Sequence, residues 1–178
     1  MIENETLKTI KTRRSTKKFK SDMIDEEALQ AILEAGTYAP TGQGKQSPVI
    51  IAITNKEIRD ELEHLNAKIL GNENAKPFYN APVVVLVIAN KAVGTAIYDG
   101  SCVIENMLLA AASVNVGACW IHRAKEEVES VEGKELLKKV GIENPDDYIG
   151  VGHVILGYPD MNPILAKPRK EDYIRYIK

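Results

Sequence analysis

Chemical potential is densest near the start of this 178-residue chain, where six of the ten residues from Lys11 to Lys20 are basic and no acid occurs between Thr6 and Ser21. Within that run Arg13-Arg14-Ser15-x-Lys17 offers three cations and a hydroxyl in five residues. One phosphate group needs such a set, because guanidinium forks and a hydroxyl match its oxygens. A solvated basic helix end accounts for the same charge run. A nucleic-acid patch would require basic charge spread over a face with stacking aromatics, but Phe19 is the one aromatic here and the rest of the chain is acidic. The net charge of −2 hides this asymmetry: seven basic residues face two acids in the first twenty positions, and sixteen face twenty-three thereafter.

A second candidate is the loop Ala39-Pro-Thr-Gly-Gln-Gly-Lys-Gln-Ser-Pro48. Its Gly42-x-Gly44 follows a predicted helix and leads to a strand, the reverse of the order that aims a helix N-terminus at a pyrophosphate. It reads either as a plain connector or as backbone laid against a flat ligand. Gly133-Lys134 lacks the upstream glycine and following hydroxyl of a phosphate-binding P-loop. His64, His122 and His153 are too scattered for a metal site. Cys119 and His122 fall on opposite faces of a strand, so they do not make a nucleophile pair. Cys102 and Cys119 both sit in apolar surroundings and read as buried, reduced thiols. Lys167-Pro-Arg169-Lys170 is a second basic group near the other end of the chain, and chain termini of compact domains often meet.

Length and a 44% hydrophobic, 27% charged composition fit one domain over residues 1–178. The longest apolar runs, 81–89 and 107–112, fall short of the ~18 residues a membrane span needs, and the acidic N-terminus lacks a secretion signal. The expectation is a cytoplasmic protein without membrane association.

The elements that must position these residues alternate in type, as in an α/β-type domain. Asn4 caps a short helix that runs into the basic segment. A helix starts at Asp25, buries Ala28, Leu29, Ile32 and Leu33, and ends at Gly36. A strand covers 49–53, and Asn55 caps a helix with Ile58, Leu62 and Leu65 inward. The β-branched run Val83 to Ile88 predicts a central strand buried on both faces. Residues 99–115 form a helix apolar nearly all round, then come a strand at 118–121, a helix at 133–140 and a strand at 149–156. The proline-bearing tail is expected to run extended to Glu171 and end in an amphipathic Tyr173-Ile-Arg-Tyr-Ile stretch that wants a partner surface.

Four segments taken in order, namely Arg13-Arg14-Ser15-Thr16-Lys17, Ala39-Pro-Thr-Gly-x-x-x-Gln-Ser-Pro48, Gly117-Ala-Cys-Trp-Ile-His-Arg123, and Gly150-x-Gly-His-x-x-x-Gly157 leading to Lys167-Pro-Arg169, resemble the FMN-dependent nitroreductase family over essentially the whole chain. The resemblance implies an α+β sandwich: a mainly antiparallel central sheet flanked by helices, in an intertwined homodimer with FMN at the interface. It also implies NAD(P)H as electron donor, a small electron-poor acceptor such as a nitroaromatic or quinone, and ping-pong turnover. By the same resemblance Arg13, Ser15, Lys167 and Arg169 hold the FMN phosphate, and Arg14 lies near the phosphate or ribityl chain. Lys17 faces the pyrimidine edge, where a cation favours the negative charge left by two-electron uptake. Pro40, Thr41, Gly42 and Gln46 arrive from the other subunit, and the backbone at His122 and Arg123 addresses the flavin N5 and O4 region. Asn66 is a further possible flavin contact. Because such a cofactor performs the redox step, no protein acid, base or nucleophile is required.

Overall fold

The computed structural model describes residues 2–178. Its centre is a four-stranded sheet of β1 (Pro48–Ile53), β2 (Val83–Asn90), β3 (Gly117–Ile121) and β4 (Tyr148–Gly157), ordered β1-β2-β4-β3 and antiparallel at every pairing. The β-branched run forms β2, whose residues from Val83 to Ala89 are all buried. Odd positions Val83, Val85, Val87 and Ala89 join one core, and even positions Val84, Leu86 and Ile88 join the other. Period-two alternation thus gives one strand two apolar faces, each requiring a cover of helices.

One face is covered by α2 (Glu26–Thr37) and α4 (Ala96–Ser113), which insert Ile32, Val103, Ile104, Met107 and Leu108. The other is covered by α3 (Lys56–Ile69), α5 (Ala124–Glu129) and α6 (Val131–Lys139), with Leu62, Val128 and Leu137 inward. Helices on both sides of an antiparallel sheet make the α+β sandwich that the resemblance implied. The α/β-type reading from element alternation is corrected. Antiparallel pairing arises because α3 leads away from the end of β1 and residues 70–82 return to that same end, where Ile53 pairs with Val84.

The expected N-caps form with one exception. Asn4 begins α1 (Glu5–Thr12) and Asn55 begins α3, each side-chain oxygen accepting a backbone N–H three residues on. Asp25 precedes α2, but its carboxylate accepts from the Tyr158 hydroxyl instead of capping. Gly36 does not end α2 at a left-handed turn. It sits inside the helix where a Cβ would stand 2.9 Å from Ile50 and 3.0 Å from Met107, so its role is close packing of helix on sheet. The helix α5 has no counterpart in the sequence expectation, and α4 begins three residues before Asp99. Cys119 is buried as expected, whereas Cys102 is half-exposed on α4. Beyond Pro159 the chain is largely irregular and exposed apart from a short 3-10 turn at 171–173; Ile164, Leu165, Tyr173, Ile174, Tyr176 and Ile177 all face outward. No helix among the described residues is long and apolar enough to cross a membrane.

Candidate functional site

The basic segment is fastened across one end of the sheet. Thr16 N–H donates to the Ala118 carbonyl at 2.9 Å, Lys20 N–H donates to Tyr158 O, and Asp160 N–H donates to Lys18 O. Lys18 Nζ also meets the Asp160 carboxylate at 2.7 Å, and this hydrogen bond holds the carboxyl below its ordinary value. Because β3 and the segment after β4 supply these anchors, the sheet itself sets the position of the cations.

Two cavities open on either side of this fastening. One, of about 360 Å³, is lined by Arg13, Arg14, Ser15, Thr16, Gly117 and the tail residues 161–164. The other, of about 720 Å³, is lined by Arg14, Ser15, Lys17, Lys76, Pro77, Tyr79, Trp120, His122 and Arg123. They share Arg14, Ser15 and Ile164 as walls, so the two adjoin and make a trough in two parts. Five Lys or Arg side chains line it, and no carboxylate does among the described residues. Arg14 donates through Nη1 to the carbonyls of Lys11 and Arg13, but its buried Nε has no partner among the described residues. A buried guanidinium N–H left open in a cationic trough calls for an anion.

The larger cavity combines that charge with flat apolar walls. Trp120 lies over Gly152, and any Cβ there would collide with its indole. Gly150 has the same relation to the Ala124 carbonyl at the start of α5, so the glycines of the Gly-x-Gly-His motif serve close approach. Lys17 Nζ stands 5.6 Å above the Tyr79 ring, within cation–π range. Lys76 joins Lys17 on this wall without having been singled out in the sequence. Its Nζ lies 3.3 Å from the carboxylate of buried Glu63, which also accepts Phe78 N–H and so shapes the turn after α3. A lone lysine in a loop carries no spacing signal that would have exposed it.

Of the sequence candidates, Arg13, Arg14, Ser15, Lys17, His122 and Arg123 come together here. Lys167 and Arg169 do not line the trough. Both are exposed, and Arg169 donates to the Lys167 carbonyl. Pro40, Thr41, Gly42 and Gln46 lie at the start of α4, outside the trough. There Gly42 N–H donates to Asp99 at 3.0 Å, and Gln46 N–H donates to the Thr41 hydroxyl. Asn66 is fully buried and lines neither cavity; its amide is engaged behind His122 and Arg123.

A family model described as the nitroreductase family matches residues 10–158. An NADPH-flavin oxidoreductase from Vibrio harveyi is 31% identical over 176 residues, covering 93% of this chain and 70% of that protein. A nitroreductase with bound FMN from Bacteroides fragilis superposes with a TM-score of 0.90 at 31% identity, over 99% of this chain and 100% of the other. Another with bound FMN, from Desulfitobacterium hafniense, gives 0.88 at 28% identity, with 99% and 100% covered.

Proposed function

The chain belongs to the nitroreductase family, and on that footing we propose that it is a cytoplasmic, homodimeric FMN-dependent oxidoreductase that takes a hydride from NAD(P)H and passes electrons to nitroaromatics, quinones or similar electron-poor acceptors. The observation that carries the proposal is the trough itself: a guanidinium-rich end adjoining a cavity walled by Tyr79, Pro77 and Trp120, with no acid among the described residues lining either part. That pattern matches a ligand with a phosphate at one end and a flat ring at the other, and the unpartnered Nε of Arg14 fits the phosphate end.

In this reading Arg13, Arg14 and Ser15 grip the FMN phosphate and the start of the ribityl chain. Lys167 and Arg169 lie three and five residues beyond Ile164, and an extended tail of ~3.3 Å per residue puts them within reach of the same phosphate. Lys17 and Lys76 place positive charge at the pyrimidine edge, which favours electron uptake there. His122 and Arg123 present backbone to the opposite edge of the ring system, and the Arg123 guanidinium stands at the same edge of the cavity. Pro40, Thr41, Gly42 and Gln46, held by Asp99 at the start of α4, serve the site of the second copy, and the exposed apolar tail covers that copy's surface. When bound, FMN supplies the two-electron redox chemistry. The protein binds it, tunes it and leaves one face open, so donor and acceptor occupy the same place in turn and the kinetics are ping-pong.

Titration of FMN into the apoprotein tests the proposal. The wild type binds, and the Arg13→Ala, Arg169→Ala double variant loses at least about tenfold in affinity, since each charge-assisted phosphate contact contributes roughly 1.5–3 kcal/mol. Unchanged affinity in that variant overturns the phosphate assignment.

A further inference from the structure

Behind the trough runs a buried polar chain that the proposed chemistry does not use. Asn66 on α3, Glu127 on α5 and His153 on β4 are 0%, 1% and 0% exposed, and none of them lines either part of the trough. The Asn66 amide is committed on both sides. Its Nδ2 donates to the His122 carbonyl at 3.0 Å and to Glu127 Oε1, and its Oδ1 accepts from Arg123 Nε at 2.9 Å. Turning the amide over would set its oxygen against a carbonyl and a carboxylate and its NH₂ against a guanidinium, so only one orientation is tolerated. Glu127 adds a second hold: its backbone N–H donates to the Arg123 carbonyl at 3.1 Å. Arg123 itself has a left-handed backbone, with φ of 77°, that a residue with a side chain adopts only when its surroundings impose it. The carboxylate end meets His153, whose Nε2 lies 2.7 Å from Glu127 Oε2 although not in hydrogen-bond geometry, and Phe78 packs against that imidazole with ring centroids 5.2 Å apart.

We infer that Asn66, Glu127 and His153 are positioning residues, a buried clamp that fixes the His122 carbonyl and the Arg123 guanidinium at the edge of the larger cavity. The carboxylate, amide and guanidinium form one hydrogen-bonded chain, so Glu127 acts on the cavity through Asn66 and Arg123 without touching a ligand. The inference rests on the reading of that cavity as the flavin site. It turns Asn66 from a possible flavin contact into the residue that aims the contact.

A double-mutant cycle in the full-length protein tests it. Asn66→Leu keeps the number and branching of the heavy atoms and removes all three side-chain hydrogen bonds, and Arg123→Ala removes the group they aim. FMN affinity is read from quenching of flavin fluorescence, and the visible absorption bands of bound FMN report the setting of the ring. Each single variant weakens FMN by about tenfold and displaces the bands in the same direction. The combined loss then falls short of the product of the single losses by about threefold or more. A combined loss equal to that product, or unshifted bands in Asn66→Leu, overturns the clamp. Should Asn66→Leu fail to fold, Asn66→Ala, which also removes all three hydrogen bonds, takes its place in the cycle with the same two outcomes. A wild type that binds no FMN defeats the cofactor reading itself, whereas a wild type that binds FMN with independent losses defeats the clamp alone.

Discussion

Gly117 lies so close beneath Thr16 that a Cβ on the glycine would stand 2.8 Å from the threonine Oγ1 and 3.0 Å from Pro159 Cγ. The first residue of β3, the basic segment and the start of the tail therefore meet with no room to spare, and all three line the smaller cavity. Gly117→Val overpacks this junction, a change that costs roughly 1–3 kcal/mol, and pushes Arg13 to Thr16 off the sheet. Its FMN affinity is expected to fall by about tenfold for each 1.4 kcal/mol of misplacement that reaches the phosphate contacts. Calorimetric titration checks this, and wild-type affinity in a folded Gly117→Val contradicts it.

Lys17 is exposed and its ammonium faces the Tyr79 ring, so its removal leaves the cores untouched. Lys17→Met is expected to retain most of its FMN while slowing the transfer of electrons from nicotinamide by about tenfold or more, the scale of losing one charge aimed at a developing anion. Stopped-flow absorbance separates the two effects. Loss of FMN with an unaltered rate in the remaining holoprotein would place Lys17 in binding instead of tuning.

The Lys18–Asp160 contact predicts a pH effect of definite sign. Its hydrogen bond holds the Asp160 carboxyl below the ordinary value of 3.8 in the folded protein, so the contribution is fully present above pH 3.8 and is lost as pH falls through the lowered value. Lys18→Met is therefore slightly less stable than wild type at pH 6, and the difference closes below pH 3.8. Both groups are solvated, so the effect is small and weakens with salt. Thermal unfolding across pH checks it, and a gap that widens on acidification would contradict the pairing.

Much of the scaffold was legible because period and composition are local properties. β2 announces itself by seven consecutive apolar residues from Val83 to Ala89, and the caps Asn4 and Asn55 by residue type alone. The antiparallel direction of the strands was not legible in element alternation, since it depends on where residues 70–82 return the chain. The helix α5 escaped because six residues, Ala124 to Glu129, are too short for a 3.6-residue stripe and follow a left-handed arginine instead of a cap. The trough was half legible. Arg13 to Lys17 are close in sequence, so their charge density stood out. Lys76 and Tyr79 come from the connection after α3 and Trp120 from β3, and Asn66, Glu127 and His153 are 61 and 26 residues apart in the chain, so only the folded sheet brings them together.

Anaerobic mixing of the FMN-loaded protein with NADH or NADPH, followed by a quinone after removal of the nicotinamide, separates turnover from flavin binding alone. The account predicts that at least one nicotinamide bleaches the visible flavin bands and that the quinone alone restores them, because each partner uses the same open face in its own half of the cycle. Flavin bands that neither nicotinamide bleaches would contradict the account.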